Sequence, residues 1–150
     1  MDIRKIKNLI FDFGGVLVDL DKARCLEAFA RLGFTQVSSM IDAYCQQGLF
    51  GQLEDGTVTP EDLCRQLCGQ TGIQATDAEI WQAWNLFLVG IPVWKLQALV
   101  ELRKHYPLYL LSNTNEVHWQ HAVADFFPHN QWQVEDYFDR IYLPLADLVD

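Results

Sequence analysis

The sequence predicts an α/β fold in which a parallel sheet is interrupted by an inserted helical subdomain. Two short apolar runs, 7–13 and 108–111, each end in small or polar residues, as buried parallel strands do. Between them lie about 70 residues of helical character, far more than a plain crossover helix needs. A chain of 150 residues is long enough to bury a core without disulfides.

The first strand is predicted over Lys7 to Phe13, and the turn signal Gly14-Gly15 follows it. Because Leu9, Ile10 and Phe11 are consecutive apolar residues, we expect the strand to be covered on both faces. The second strand is predicted over Leu108 to Leu111.

A helix is predicted over Pro92 to His105, before the second strand, because proline suits a first helical turn and Pro107 ends the pattern. A further helix around Trp119 to Phe127 leads to a weaker strand, Ile141 to Leu143. The predicted core therefore comprises residues 1–20 and 90–150, and the helical insert comprises residues 21–89.

The helices of the insert are marked by their caps. Thr59-Pro60-Glu61-Asp62 offers an N-cap followed by proline and two acids, and Thr76-Asp77-Ala78-Glu79 has the pattern of a capping box. Apolar residues at helical spacing follow each cap. They are Leu63 and Leu67 on one helix, and Ile80, Trp84, Phe87 and Leu88 on the next.

The charge balance argues against polyanionic partners. Acidic residues outnumber basic ones 20 to 11, the formal net charge is -9, and no Lys/Arg cluster is present. We therefore expect no nucleic-acid or membrane partner. A small anionic substrate would need a metal ion or a helix N-terminus to offset this charge.

The sequence predicts a cytoplasmic protein. Asp12 interrupts the apolar run that starts at Leu9, which spoils both a secretory signal and a transmembrane helix. The four cysteines have no partners at zinc spacing, as in most cytosolic proteins.

The strongest chemical feature is Asp12, at the carboxyl end of the first strand. The second strand ends in the polar segment 112–115, and the carboxyl ends of parallel strands meet at one edge of a sheet, where ligands bind. A carboxylate there can act as a nucleophile or hold a divalent metal, and Ser112 can bind an oxyanion. The structural alternatives are that Asp12 caps a turn and Ser112 caps the next helix.

The histidines are weaker candidates. His118 and His121 are three residues apart rather than four, without the adjacent glutamate of a metalloprotease helix. We expect both to be surface or capping groups.

Two segments together resemble a known family. Phe-Asp-Phe-Gly-Gly-Val-Leu-Val-Asp, residues 11–19, is similar to the first motif of the haloacid dehalogenase superfamily, and Leu-Leu-Ser-Asn-Thr, residues 110–114, to its second. The helical insert matches the family's cap domain in position and size. The resemblance implies a Rossmann-like parallel core, incomplete here, and a Mg²⁺-dependent phosphatase acting on a small phosphorylated metabolite.

The resemblance also implies residue roles. Asp12 would attack phosphorus to give an aspartyl-phosphate, and its carboxylate and the Gly14 backbone carbonyl would bind Mg²⁺. Ser112 and the backbone amide of Asn113 would hold the phosphoryl group. Gly14 stands where the family's phosphatases usually have a second aspartate that serves as general acid and base, so slow activity is expected.

The last part of the sequence departs from the family pattern. The family has a third-motif lysine and a fourth-motif acidic pair, but no lysine follows Lys104, and Arg140 is the one arginine after it. We expect the chain to be truncated before these motifs, with Asp147 and Asp150 as weak replacement metal ligands.

This departure leaves two alternative functions open. One is a catalytically incompetent remnant that acts as a binding or oligomeric module, with two copies pairing through an exposed sheet edge. The other is a 2-haloacid dehalogenase.

Overall fold

The computed structural model describes residues 2–42 and 45–144 and is built from short strands and helices. The strands are β1 (Leu9–Phe11), β2 (Asp19–Leu20), β3 (Leu88–Gly90), β4 (Leu108–Leu111) and β5 (Arg140–Tyr142). The helices are α1 (Lys22–Leu32), α2 (Gly48–Glu54), α3 (Pro60–Thr71), α4 (Asp77–Asn85), α5 (Val93–Arg103), α6 (Glu116–Asp125) and α7 (Val134–Tyr137). Within the described ranges, no helix is long and apolar enough to cross a membrane.

The main sheet is parallel, with the strand order β1-β4-β5. Phe11 pairs with Leu110, and Leu110 pairs in turn with Ile141, so the three strands end at the same edge. The α/β fold class with a parallel sheet is therefore confirmed.

The predicted caps form the ends of α3 and α4. The Thr59 side chain accepts a hydrogen bond from the Asp62 amide at 3.2 Å. At α4 the capping box is complete, because Thr76 accepts from the Glu79 amide while the Glu79 carboxylate accepts from the Thr76 amide at 2.8 Å. Each cap satisfies backbone donors that the first helical turn leaves unpaired.

The expectation that the first strand is covered on both faces is wrong for the described residues. On one face of the sheet, Ile10 is 68% exposed, Leu111 56% and Tyr142 44%. The opposite face, with Leu108 and Leu110 fully buried, packs into the core. The strand itself is also shorter than predicted, spanning Leu9–Phe11.

A two-stranded antiparallel ribbon, β2 with β3, connects the helical insert to the rest of the chain. Asp19 pairs with Gly90, so the chain enters α1 and leaves α4 through adjacent strands. The prediction that Leu88 continues the α4 helix is wrong: α4 ends at Asn85, and Leu88 starts β3. Short strands of two or three residues give too weak a pattern to be predicted against a helical background.

Trp84 joins the insert to the core. Its fully buried ring packs against Phe50, Phe87 and His118, with centroid distances of 4.7, 5.6 and 4.2 Å. Its indole N–H donates to the Asn115 side-chain oxygen at 3.4 Å. One residue of α4 therefore contacts α2, the residue that precedes β3 and the first turns of α6.

The prediction that His118 lies at the surface is wrong, because its ring is buried beside Trp84. Its Nε2 lies 3.0 Å from the Trp84 backbone carbonyl, so Nε2 carries a proton and donates it. Burial lowers the pKa of His118 to about 3, against the raising effect of that hydrogen bond, and nearby His121 lowers it further. His118 is therefore a neutral core residue at physiological pH.

Replacing Trp84 with alanine is expected to destabilise the fold by about 3 to 5 kcal/mol, because it opens a large cavity and removes a buried hydrogen bond. Urea unfolding followed by circular dichroism measures the change. Trp94→Ala is the matched control, since Trp94 is 65% exposed and should cost under about 1 kcal/mol. Equal losses in the two variants would contradict the central position of Trp84.

His118 should make a contribution to the free energy of unfolding that is lost in acid. The pKa of His118 in the folded protein lies below the unfolded value of 6.5. The stability that its neutral ring contributes is therefore fully present above pH 6.5 and is lost as the pH falls towards 3. At pH 5 the loss is roughly 2 kcal/mol. Burial raises the pKa of Glu54 to about 7, which has the opposite effect on stability over this pH range, so the His118 contribution is read from the difference between two proteins. In urea unfolding, lowering the pH from 7 to 5 should destabilise the parent by about 2 kcal/mol more than it destabilises His118→Asn, whereas Gln97→Asn on the exposed face of α5 should behave as the parent does.

Candidate active site

A cavity of about 230 Å³ lies where β1 and β4 end, between the sheet and the helical insert. It is lined by the four residues to which the family resemblance gives roles, Asp12, Gly14, Ser112 and Asn113. The lining residues are Asp12, Phe13, Gly14, Leu20, Gln46, Glu54, Phe87, Leu88, Ser112, Asn113, Thr114 and His118.

The loop after β1 presents Asp12 to this cavity. The Asp12 side chain is exposed, and its Oδ1 accepts a hydrogen bond from the Phe13 amide at 2.7 Å. Phe13 itself is buried, and its carbonyl accepts from the Leu17 and Val18 amides at 3.0 and 2.9 Å. One carboxylate oxygen of Asp12 therefore caps the turn, as the structural alternative expected. The other oxygen can bind a ligand.

Ser112 lies directly after β4 and is buried. Its amide donates to the Tyr142 carbonyl at 3.1 Å, and its Oγ accepts from the Thr114 amide at 3.1 Å. The alternative that Ser112 caps the next helix is wrong, because the N-cap of α6 is Asn115, whose side chain accepts from the His118 amide. The Ser112 hydroxyl hydrogen is available to an oxygen in the cavity.

Gly14 leaves open space in the cavity wall. A Cβ added there would meet one atom within 4 Å, the Leu20 Cδ1 at 3.9 Å, which is ordinary contact. The backbone does not require glycine at this position either, whereas Gly15 has a φ of 77°. Neither the space around Gly14 nor its backbone conformation therefore excludes a side chain at this position.

Three lining residues were missed or misjudged by sequence reasoning: Gln46, Glu54 and His118. Gln46 and Glu54 belong to the helical insert and carry no motif. Burial raises the pKa of Glu54 to about 7, and a hydrogen bond with the Gln46 backbone opposes this rise. A carboxyl group that is substantially protonated at neutral pH is typical of catalytic sites.

Asp12 and Gly14 both line the cavity, and a carboxylate and a backbone carbonyl are oxygen ligands of the kind that Mg²⁺ takes. Mg²⁺ is commonly bound by one or two carboxylates together with substrate phosphate and several waters, so these residues fit the ion. Across residues 2–42 and 45–144, no cluster of three or more His, Cys, Asp or Glu side chains is arranged for a metal. Asp147 and Asp150, the weaker candidates, lie outside the described residues.

No lysine or arginine is among the described residues that line the cavity. Lys95 approaches the same loop from α5, but its ammonium group donates to the Val16 and Leu17 carbonyls and pairs with Asp19 at 2.9 Å. The described part of the cavity is therefore anionic, and a phosphate would need a cation to enter it.

Comparison with known proteins gives several matches. A D-ribitol-5-phosphate phosphatase of Bacteroides thetaiotaomicron is 38% identical over 138 residues, which cover 92% of this chain and 67% of that protein. A crystal structure of a HAD family enzyme from the same organism, an aspartate-to-alanine variant in complex with magnesium and inorganic phosphate, matches with 41% identity and a TM-score of 0.89. That match covers 94% of this chain and 70% of the other.

A predicted HAD-like family hydrolase of Porphyromonas gingivalis matches with 30% identity and a TM-score of 0.83, over 95% of this chain and 68% of the other. No protein-family model matches the chain. The magnesium that the sequence resemblance implies is present in the Bacteroides complexes.

These matches cover more than nine-tenths of the chain and agree with its α/β fold. The chain belongs to the haloacid dehalogenase (HAD) family.

Proposed function

We propose that the protein is a Mg²⁺-dependent phosphatase that acts on a small phosphorylated metabolite and uses Asp12 as its nucleophile. The observation that carries the proposal is the presence of Asp12, Ser112 and Asn113 in one cavity. A carboxylate that can accept a phosphoryl group there faces a hydroxyl and an amide that can donate to phosphoryl oxygens.

The chemistry follows from these groups. An Asp12 oxygen bonds to phosphorus while the bond between phosphorus and the substrate's alcohol oxygen breaks, giving an aspartyl-phosphate. Ser112 and the Asn113 amide hold the phosphoryl oxygens as their charge changes. Water then displaces Asp12 from phosphorus and releases inorganic phosphate. Bound to Asp12 and the Gly14 carbonyl, Mg²⁺ would supply positive charge that draws the anionic substrate into this anionic cavity.

The space beside Asp12 suits a small substrate. The cavity of about 230 Å³ adjoins another of about 710 Å³ that Asp12, Ser112 and Asn113 also line, so a small phosphorylated metabolite has room at this edge. We propose residues 21–89 as the cap that encloses the substrate, because this segment supplies Gln46 and Glu54 to the lining. Sugar-alcohol phosphates are the first substrates to test, given the similarity to a D-ribitol-5-phosphate phosphatase.

Asp12→Asn should lower phosphate release from D-ribitol 5-phosphate by at least about 10³-fold, because an amide cannot replace the carboxylate as nucleophile. Chelation of Mg²⁺ by EDTA should abolish the same activity and Mg²⁺ should restore it. Phosphate release is measured colorimetrically at pH 7.

The control for this experiment is Asp62→Asn, an equally isosteric change on α3, away from the cavity, which should keep the parent rate. Two outcomes would contradict the proposal. One is unchanged phosphate release in Asp12→Asn, and the other is chloride release from a 2-chloro acid without any phosphatase activity.

The exposed sheet face supports a second candidate function, self-association. Ile10, Leu111 and Tyr142 form a contiguous apolar surface, and among the described strands β1 pairs with β4 alone. Exposed apolar surface beside an unpaired strand edge favours pairing with another chain.

Light scattering over a concentration series tests this candidate. The parent should associate as concentration rises, and Leu111→Lys should shift association to at least about tenfold higher concentration, because a charge on the buried face of an interface is costly. Glu101→Lys on α5 changes charge elsewhere and should not act in this way. A parent that remains monomeric throughout the series rules out this second function.

A further inference from the structure

We propose that Glu54, at the end of α2, is the general acid and base that serves Asp12. The inference rests on the proposed phosphatase function and deepens it. Phosphoryl transfer to Asp12 leaves an alkoxide that needs a proton, and the attacking water must later lose one. Gly14 has no side chain for this work, yet space remains beside it.

The composition of the cavity lining points to Glu54. Among the described lining residues, three can titrate near the reaction: Asp12, Glu54 and His118. Asp12 forms the covalent bond. His118 directs its Nε2 proton to the Trp84 carbonyl at 3.0 Å and stays neutral far below pH 7. Glu54 is the carboxyl group that remains.

The local packing holds Glu54 in place. A Cβ on Gly51 would lie 2.7 Å from the Gln46 carbonyl oxygen. Because Gly51 has no side chain, α2 can pack closely against the backbone of Gln46. Gln46 is itself fixed, because its side chain donates to the Asp42 carbonyl at 2.7 Å and accepts from the Asp42 amide at 3.0 Å. The Gln46 backbone also favours the charged form of Glu54, which opposes the rise in pKa that burial causes.

The protonation of Glu54 suits both steps. Burial raises its pKa to about 7, against the lowering effect of the Gln46 hydrogen bond. The acid and carboxylate forms are therefore both populated at neutral pH, which is the condition under which one group can give and then take a proton.

The proton balance closes over one turnover. In the first step, the bond from Asp12 oxygen to phosphorus forms, the bond from phosphorus to the alcohol oxygen breaks, and the Glu54 proton moves to that oxygen. In the second step, Glu54 takes a proton from water as the water oxygen bonds to phosphorus and the bond to Asp12 breaks. The products are alcohol and inorganic phosphate, with both carboxyl groups restored.

The test compares two substrates that differ in leaving group. p-Nitrophenyl phosphate releases a stable phenolate and needs little acid catalysis, whereas D-ribitol 5-phosphate releases an alkoxide. Under single-turnover conditions, Glu54→Gln should slow phosphoryl transfer from the alkyl substrate by about 10² to 10⁴-fold and from the aryl substrate by under tenfold. Glu61→Gln, on exposed α3 surface, is the matched control. Equal losses on both substrates would overturn the proposal.

A rescue variant separates acid catalysis from folding. Gly14→Asp adds a carboxyl group where the wall has space. In the Glu54→Gln background it should restore alkyl-phosphate cleavage by at least about tenfold. If the double variant is folded by circular dichroism but shows no rescue, the loss in Glu54→Gln is not a loss of acid-base catalysis, and the proposal is contradicted.

A measurement without turnover covers the case in which phosphatase activity itself fails. The ¹³C resonance of the Glu54 carboxyl group, assigned with Glu54→Gln, should titrate near neutral pH. Adding Mg²⁺ and beryllofluoride, which mimic a phosphorylated Asp12, should shift this pKa, because the bound ions change the charge beside Glu54. A Glu54 resonance that does not respond would overturn the inference directly, because Glu54 would then lie too far from Asp12. A response without any turnover would instead refute the phosphatase proposal on which the inference rests.

Discussion

The contact between Trp84 and the start of α6 is the interaction on which the rest of the structure depends. Asn115 caps α6 and accepts the Trp84 indole N–H through the same oxygen, and His118, one turn later, hydrogen-bonds the Trp84 carbonyl. The loop from Ser112 to Asn115 is therefore fixed at one end by β4 and at the other by a residue of the insert. The cavity keeps its shape because both of its walls share this junction.

The cavity at the ends of β1 and β4 carries negative charge, although the proposed substrate is itself an anion. It contains two carboxyl groups, Asp12 and Glu54, with no lysine or arginine in the described lining, in a chain of formal net charge -9. Such a site repels an anion unless a cation is bound. Burial, rather than the charge of the cavity, raises the pKa of Glu54.

How much the sequence predicted depended on whether the relevant signal was local. Helix caps at Thr59 and Thr76 involve residues three apart, and β4 is a continuous apolar run, so all three were predictable. Asp12 and Ser112 were found because parallel strands end together. Glu54 was not found, since its position in the cavity depends on how α2 packs against Gln46. The burial of His118 was not predicted because it depends on Trp84, 34 residues away.

The ribbon formed by β2 and β3 has a consequence for how the molecule can vary. Because Asp19 and Gly90 are neighbours, the two ends of the insert lie side by side. A change in the insert that keeps Trp84 and its contacts with Asn115 and His118 can therefore leave β1, β4 and Asp12 in register. The other residues of the insert are free to vary while the sheet keeps Asp12 and Ser112 at the same edge.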